Sequence, residues 1–267
     1  MPQGADLSPT ANLLEPGRNR FGFSLYNRGD KQIGALKVRL YAARGLDETV
    51  WGPIPARFER LAVASAFRSR QSSNPGTAHS LYVSNIRFAH SGGYNVIAVS
   101  ELSGQYLASA PIQVMVSHRS DVPAVGERAI SVHTPTVASA GGDLSKIDTR
   151  TPPDSMHEID LAVALRRHRP VLLLFASPGL RESRVGAIVT DVAEQLHARF
   201  RPKMDFIHVE LYNDNEPDQG LRAAVRAWHL TSEPFAFAID RRGVVVARLE
   251  GAFSVRELRA AVKKALR

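Results

Sequence analysis

The chain has 267 residues, enough for two domains of ordinary size, with 44% hydrophobic and 22% charged residues, as in a soluble globular protein. Zero cysteine excludes disulfides, zinc–thiolate centres and thiol catalysis together, and no apolar run approaches the roughly 18 to 20 residues a membrane-spanning helix needs. The net charge of +8 comes mainly from Arg and is weighted toward the first 119 residues, which carry 13 basic and 7 acidic side chains.

Residues 1–12 read as a tail without the basic and apolar regions of a secretory signal. From 13 to 117 the pattern is all-β. Phe21, Phe23 and Leu25 share one face at period 2, as do Val38 and Leu40, and 81–88, 94–99 and 112–116 continue the alternation. Turn signals separate these runs at Pro16-Gly17, Asn27 to Asp30, Asn74-Pro75-Gly76, Ser91-Gly92-Gly93 and Ser103-Gly104. About seven short strands in a hundred residues predict an immunoglobulin-like β-sandwich. Residues 118–157 are polar, Pro/Gly-punctuated and aperiodic, a linker or an extended arm lying across the next domain.

Helix and strand alternate over 158–267. Asp160 caps a predicted helix to His168, and Val171 to Ala176 is an apolar strand fit for a sheet covered on both faces. A helix from Ser183 to Arg199, a strand over 204–211, a helix over 220–230, a hairpin of 235–239 with 244–249, and a helix over 254–266 follow. Ser254 and Glu257 make a capping box for the last. Helix–β–α–β–α–β–β–α is the thioredoxin order. The expected fold class is therefore two-domain, an N-terminal all-β immunoglobulin-like sandwich plus a C-terminal α/β thioredoxin-like fold.

Over most of its length the chain resembles actinobacterial-type thioredoxin-like proteins that pair an N-terminal immunoglobulin-like domain with a C-terminal redox domain. The carrying segments are Gly141 to Asp148, Phe175-Ala176-Ser177-Pro178, Phe206 to Glu210 and Ser232-Glu233-Pro234. The resemblance implies two cysteines, four residues apart, just after the Ala-Ser-Pro segment. Arg181 and Gly186 stand in their places, while Ser183 and Arg184 between them match. A dithiol oxidoreductase needs a thiolate at a helix N-terminus and a second thiol to resolve the mixed disulfide. Neither residue can supply one. Ser183 suits a helix N-cap better than a nucleophile.

The resemblance also implies a cis peptide bond at Pro234, facing that helix. There the backbone of Glu233-Pro234 either pairs with an extended peptide or merely fixes the turn. The candidate binding residues are Pro178, Ser183, Arg184, Glu233 and Pro234, with an unidentified protein or peptide as partner. No cofactor is expected. The histidines at 133, 157, 168, 197, 208 and 229 show no metal-ligand spacing, and His208 reads as a satisfied core or edge histidine. Asp143, Asp148, Asp154 and Glu158 suit turn caps or partners of Lys146 and Arg150 better than a cation site. Asp214, Glu216 and Asp218 lack the Gly and terminal Glu of a calcium loop.

The scattered basic residues form no patch interleaved with aromatics, so nucleic acid is not an expected partner; an anionic membrane or cell-wall surface suits the charge. Two functions remain: a redox-inactive binding or structural module in the cell envelope or secreted, or a cysteine-free variant of a thiol–disulfide oxidoreductase family. A cytoplasmic location is compatible with the sequence.

Overall fold

The computed structural model describes residues 5–27, 29–45, 48–180 and 185–267. Its internal contacts fall into two compact units, Met1–Leu61 with Ala78–Ser120, and Ala62–Thr77 with Asp121–Arg267. Among the described residues no helix is long and apolar enough to cross a membrane.

The first unit is one curled antiparallel sheet of nine strands: β1 (Asp6–Pro9), β2 (Gly17–Tyr26), β3 (Gln32–Ile33), β4 (Lys37–Ala43), β5 (Trp51–Arg60), β6 (Ser80–Phe88), β7 (Gly92–Leu102), β8 (Gln105–Ala108) and β9 (Ile112–Val116). Its order is β1-β2-β6-β5-β4-β7-β8, with β3 on β2 and β9 on β7. The sheet curls until its ends meet: Leu14, ahead of β2, accepts from the Ser117 amide at 2.8 Å. Hydrogen bonding is continuous around this path, where an immunoglobulin-like sandwich would have two separate sheets. The alternation predicted from sequence sets the core, with Phe21, Phe23, Leu25, Val38, Leu40, Ile86, Phe88 and Val96 almost fully buried.

Four strands went unread, one of them the two-residue β3 on β2; the other three are longer. Asp6–Pro9, expected as tail, pairs with β2, and Gln105–Ala108 pairs with β7. The third, β5, carries Pro53 and Pro55, residues that argue against an internal strand. The register resolves the conflict. β6 pairs only with Ala56–Arg60, so the proline half of β5 is bordered by β4 alone. Locally it is an edge.

The second unit holds α1 (Leu161–Arg166), β10 (Val171–Phe175), α2 (Gly186–Phe200), β11 (Asp205–Val209), α3 (Ala223–Ala227), β12 (Phe235–Ile239), β13 (Val245–Glu250) and α4 (Val255–Ala265). The sheet runs β11-β10-β12-β13, with β11 parallel to β10 and the other pairs antiparallel. Strand order, direction and intervening helices are those of the thioredoxin fold. β10 and β12 are buried throughout because each has a neighbour on both edges and helices over the faces. Asp160 caps α1 by accepting from the Val163 amide, and the Ser254–Glu257 capping box opens α4.

Two helices begin later than their periodicity suggests. α2 starts at Gly186, with Val185 in the N-cap place and no side-chain cap; Ser183, expected as the cap, lies outside the described residues. Gly186 therefore stands in the first turn, where glycine costs less than in a helix interior. α3 starts at Ala223, because Gly220 takes a positive φ of 73° and Leu221 bridges to Tyr212. The polar stretch before α1 is ordered by this unit: the Met156 carbonyl accepts from the His208 amide at 2.9 Å, covering the outer edge of β11.

Candidate functional site

The site forms where β10 ends. Ala176, Ser177 and Pro178 are all buried, and the loop ahead of β12 lies beside them. The Ser177 amide donates to Glu233 Oε2 at 2.7 Å, joining the two loops, and the Glu233–Pro234 bond is cis as the resemblance implied. Glu233 is half-buried and Pro234 buried. Pro178, Glu233 and Pro234 thus come together. Arg181, Ser183 and Arg184 lie outside the described residues. Gly186 is buried and its carbonyl accepts from Thr190 Oγ1 at 2.9 Å.

Beneath this surface a polar network props the turn. Thr149 Oγ1 accepts from the Gly179 amide at 2.7 Å and donates to Glu210 Oε1 at 2.7 Å, while the Thr149 amide also reaches Glu210 at 2.7 Å. A Cβ at position 179 would stand 2.6 Å from Thr149 Cβ, so only glycine allows this approach. Burial raises the Glu210 carboxyl above its ordinary value, against the lowering effects of His208, Thr149 and Ser177. The Ser177 hydroxyl also accepts from the Leu211 amide at 3.1 Å.

One step further in, His208 Nε2 bonds the Ala176 carbonyl at 3.0 Å and its Nδ1 bonds Asp154 Oδ2 at 2.7 Å. A carbonyl only accepts, so Nε2 carries a proton. Burial opposes charge on the ring, yet the charge and hydrogen bond of Asp154, with help from Asp148 and Glu210, raise its pKa well above the histidine range. For Asp154, burial is overcome by His208, His157 and the Met156 amide, which hold its carboxyl low. His208 is therefore an imidazolium donating from both nitrogens. The reading of His208 as a satisfied core histidine agrees with this geometry.

The acids of the preceding stretch divide. Asp143 caps a 3-10 turn by accepting from Ser145, near Lys146 at 3.9 Å. Asp148 and Asp154 are buried and do cap turns, taking the amides of Arg150 and Met156. Arg150 turns instead to Asp191 of α2, Nε to Oδ1 at 2.9 Å, both almost fully buried. Its remaining nitrogens reach the carbonyls of Pro152 and Phe67, and Asp191 Oδ2 takes the Ser69 amide at 2.9 Å. Asp214 and Glu216 lie in or beside 3-10 turns of an exposed loop. The unread functional candidate is His157. It is buried in the Asp148–Asp154 cluster, and only its place in Pro-Pro-Asp-Ser-Met-His, within range of those acids, could have signalled it.

No family model matches the chain, and no curated protein matches it. Nine chains of solved structures match. One is described as a "putative Thiol:disulfide interchange protein DsbE from Chlorobium tepidum", at 15% identity and a TM-score of 0.38, covering 54% of this chain and 99% of that one. The fold assignment rests on the strand order and connections of the second unit itself.

Proposed function

We propose that this chain is a redox-inactive thioredoxin-fold protein whose surface around Pro178, Glu233 and Pro234 binds an extended protein or peptide segment, with Ser183 and Arg184 as further candidate binding residues. The observation that carries the reading is the bond from the Ser177 amide to Glu233, which ties two loops into one platform in a chain with no cysteine. A platform held from below by Thr149, Glu210 and His208 loses little entropy on binding. The site offers hydrogen bonding and shape rather than a nucleophile.

The domain plan belongs to the same proposal: an all-β module at 13–117, an arm at 118–157 and the thioredoxin-like domain at 158–267. So does a location in the cell envelope or outside the cell, with the +8 charge favouring an anionic membrane or cell-wall surface. A photo-crosslinker placed at half-buried Leu180, two residues past Pro178, tests the binding reading in cells of the source organism. It should trap one abundant partner, and the Glu233→Ala variant should reduce that product at least fivefold. Equal trapping from an exposed control position, Lys264, sinks the idea.

A second reading, a cysteine-free variant of an oxidoreductase family, is favoured by Gly186. It opens α2, where the helix dipole would lower the pKa of a thiol. The Arg181→Cys, Gly186→Cys double variant should then reduce insulin; an inert, folded double variant removes this reading.

A further inference from the structure

We propose that Asp148, Asp154 and His157 form a buried site for one divalent transition-metal ion of the zinc class, independent of the surface above it. The evidence starts with His157. It is 1% exposed, and neither ring nitrogen has a hydrogen-bond partner. Buried polar groups in native proteins are almost always satisfied, so an orphaned imidazole asks for a ligand.

Its Nε2 stands 3.3 Å from Asp154 Oδ1 and 3.6 Å from Asp148 Oδ2, without hydrogen-bond geometry to either. Ligands of a tetrahedral ion with bonds of about 2.0 to 2.2 Å are themselves about 3.3 to 3.6 Å apart. His157 Nε2 therefore already has the spacing of a co-ligand to each oxygen, and the candidate ligand atoms all lie within 4.8 Å of one another. Two carboxylates and an imidazole are a donor set suited to zinc or manganese rather than to a soft ion.

The oxygens are also fixed in place. Asp148 Oδ2 takes the Asp154 amide at 2.7 Å and Asp154 Oδ1 takes the Met156 amide at 2.9 Å, which leaves each a free lone pair. From the far side His208 Nδ1 holds Asp154 Oδ2 at 2.7 Å. A ligating carboxylate oriented by a second hydrogen-bonding group is the usual construction of a metal site. With both its nitrogens committed, His208 is a positioning residue and not a ligand.

The test uses the tag-free full chain, stripped with a chelator and titrated with Zn²⁺ by calorimetry and with Co²⁺ by visible absorption. One ion should bind per chain, and Co²⁺ should give the intense visible bands of low coordination. His157→Gln should weaken binding at least 100-fold and His208→Gln about 10- to 100-fold, with far-ultraviolet circular dichroism unchanged. No saturable binding by the folded wild-type chain overturns the proposal, as does a His157→Gln variant that binds equally well. Should that variant not fold, ring nitrogen-15 resonances of the wild-type chain decide. Zn²⁺ must shift a histidine protected from solvent exchange, and shifts confined to exposed histidines overturn the site.

Discussion

The two units bury different materials. Among the described residues, the first unit's buried polar side chains are five serines and Glu59, set among aromatic rings such as Phe23, Tyr82 and Phe88. The second unit buries Asp148, Arg150, Asp154, His157, Asp191, His197, His208 and Glu210 around an equally apolar sheet. A core of the first kind is tolerant, since its stability is spread over many apolar contacts. One of the second kind is not, because each charge depends on a particular partner. Stability in the second unit is thus concentrated in a few bonds, and those bonds lead to the surface at Pro178.

Breaking this contrast is easiest at Arg150. Its replacement by Ala strands the buried Asp191 carboxylate and should destabilise the second unit by about 3 to 5 kcal/mol in denaturant titration. The chain offers a convenient pair of reporters, half-buried Trp51 in the first unit and fully buried Trp228 in the second. With either changed to Phe, the other's fluorescence follows one unit, and only the Trp228 signal should move.

A pH series sharpens the comparison. His208 has a raised pKa, so its stabilisation is complete below the ordinary histidine value of 6.5 and is lost as pH climbs through the folded value. Glu210, also raised, adds to the decline with rising pH. Asp154 is lowered, so its contribution is complete above the ordinary 3.8 and fails as pH falls. The second unit should be most stable near pH 4.5, declining first as Glu210 ionises and then, above 6.5, as His208 loses its proton, by about 1.4 kcal/mol per unit of pKa displacement. In the first unit the resolved shift among the described residues is that of Tyr82, raised by burial from 10, so the Trp51 transition should stay flat from pH 5 to 9. A Trp51 midpoint that tracks the Trp228 midpoint across pH would refute the distinction.

Thr149→Val removes the acceptor of the Gly179 amide and a donor to Glu210 while keeping the shape. A cost of about 1 to 3 kcal/mol is expected, with faster hydrogen exchange at Gly179 and Ser177 than elsewhere in the unit. Smallest of all should be Lys37→Ala, which breaks the 3.3 Å contact to Glu101 across β4 and β7. With Lys37 mostly exposed, less than 1 kcal/mol is expected.

How much of this the sequence disclosed follows the same division. Where one face or two are apolar, the period speaks plainly: Phe235–Ile239 and Ile112–Val116 have the bounds the sequence predicts, and Val171–Phe175 ends one residue short of the predicted Ala176. Pro53 and Pro55 hid β5, because a local edge inside a sheet is a property of the partner strands and not of the strand itself. The buried network was illegible for a related reason. His157 and Asp148 sit in an aperiodic stretch, and only the return of that stretch to the edge of β11 brings them beside His208. Arg150 was expected to neutralise a nearby acid, yet its partner is Asp191, 41 residues along the chain.

Ala62–Thr77 carries a further consequence, one of timing. The Ser69 amide waits for a carboxylate 122 residues downstream, and at about 5 to 20 residues per second a ribosome needs roughly 6 to 24 s to deliver it. For most of that interval the strands on either side of the segment have already been synthesised. A nascent chain can therefore complete its β-sheet while this loop is still idle, and the loop becomes the last piece of the early chain to find its place.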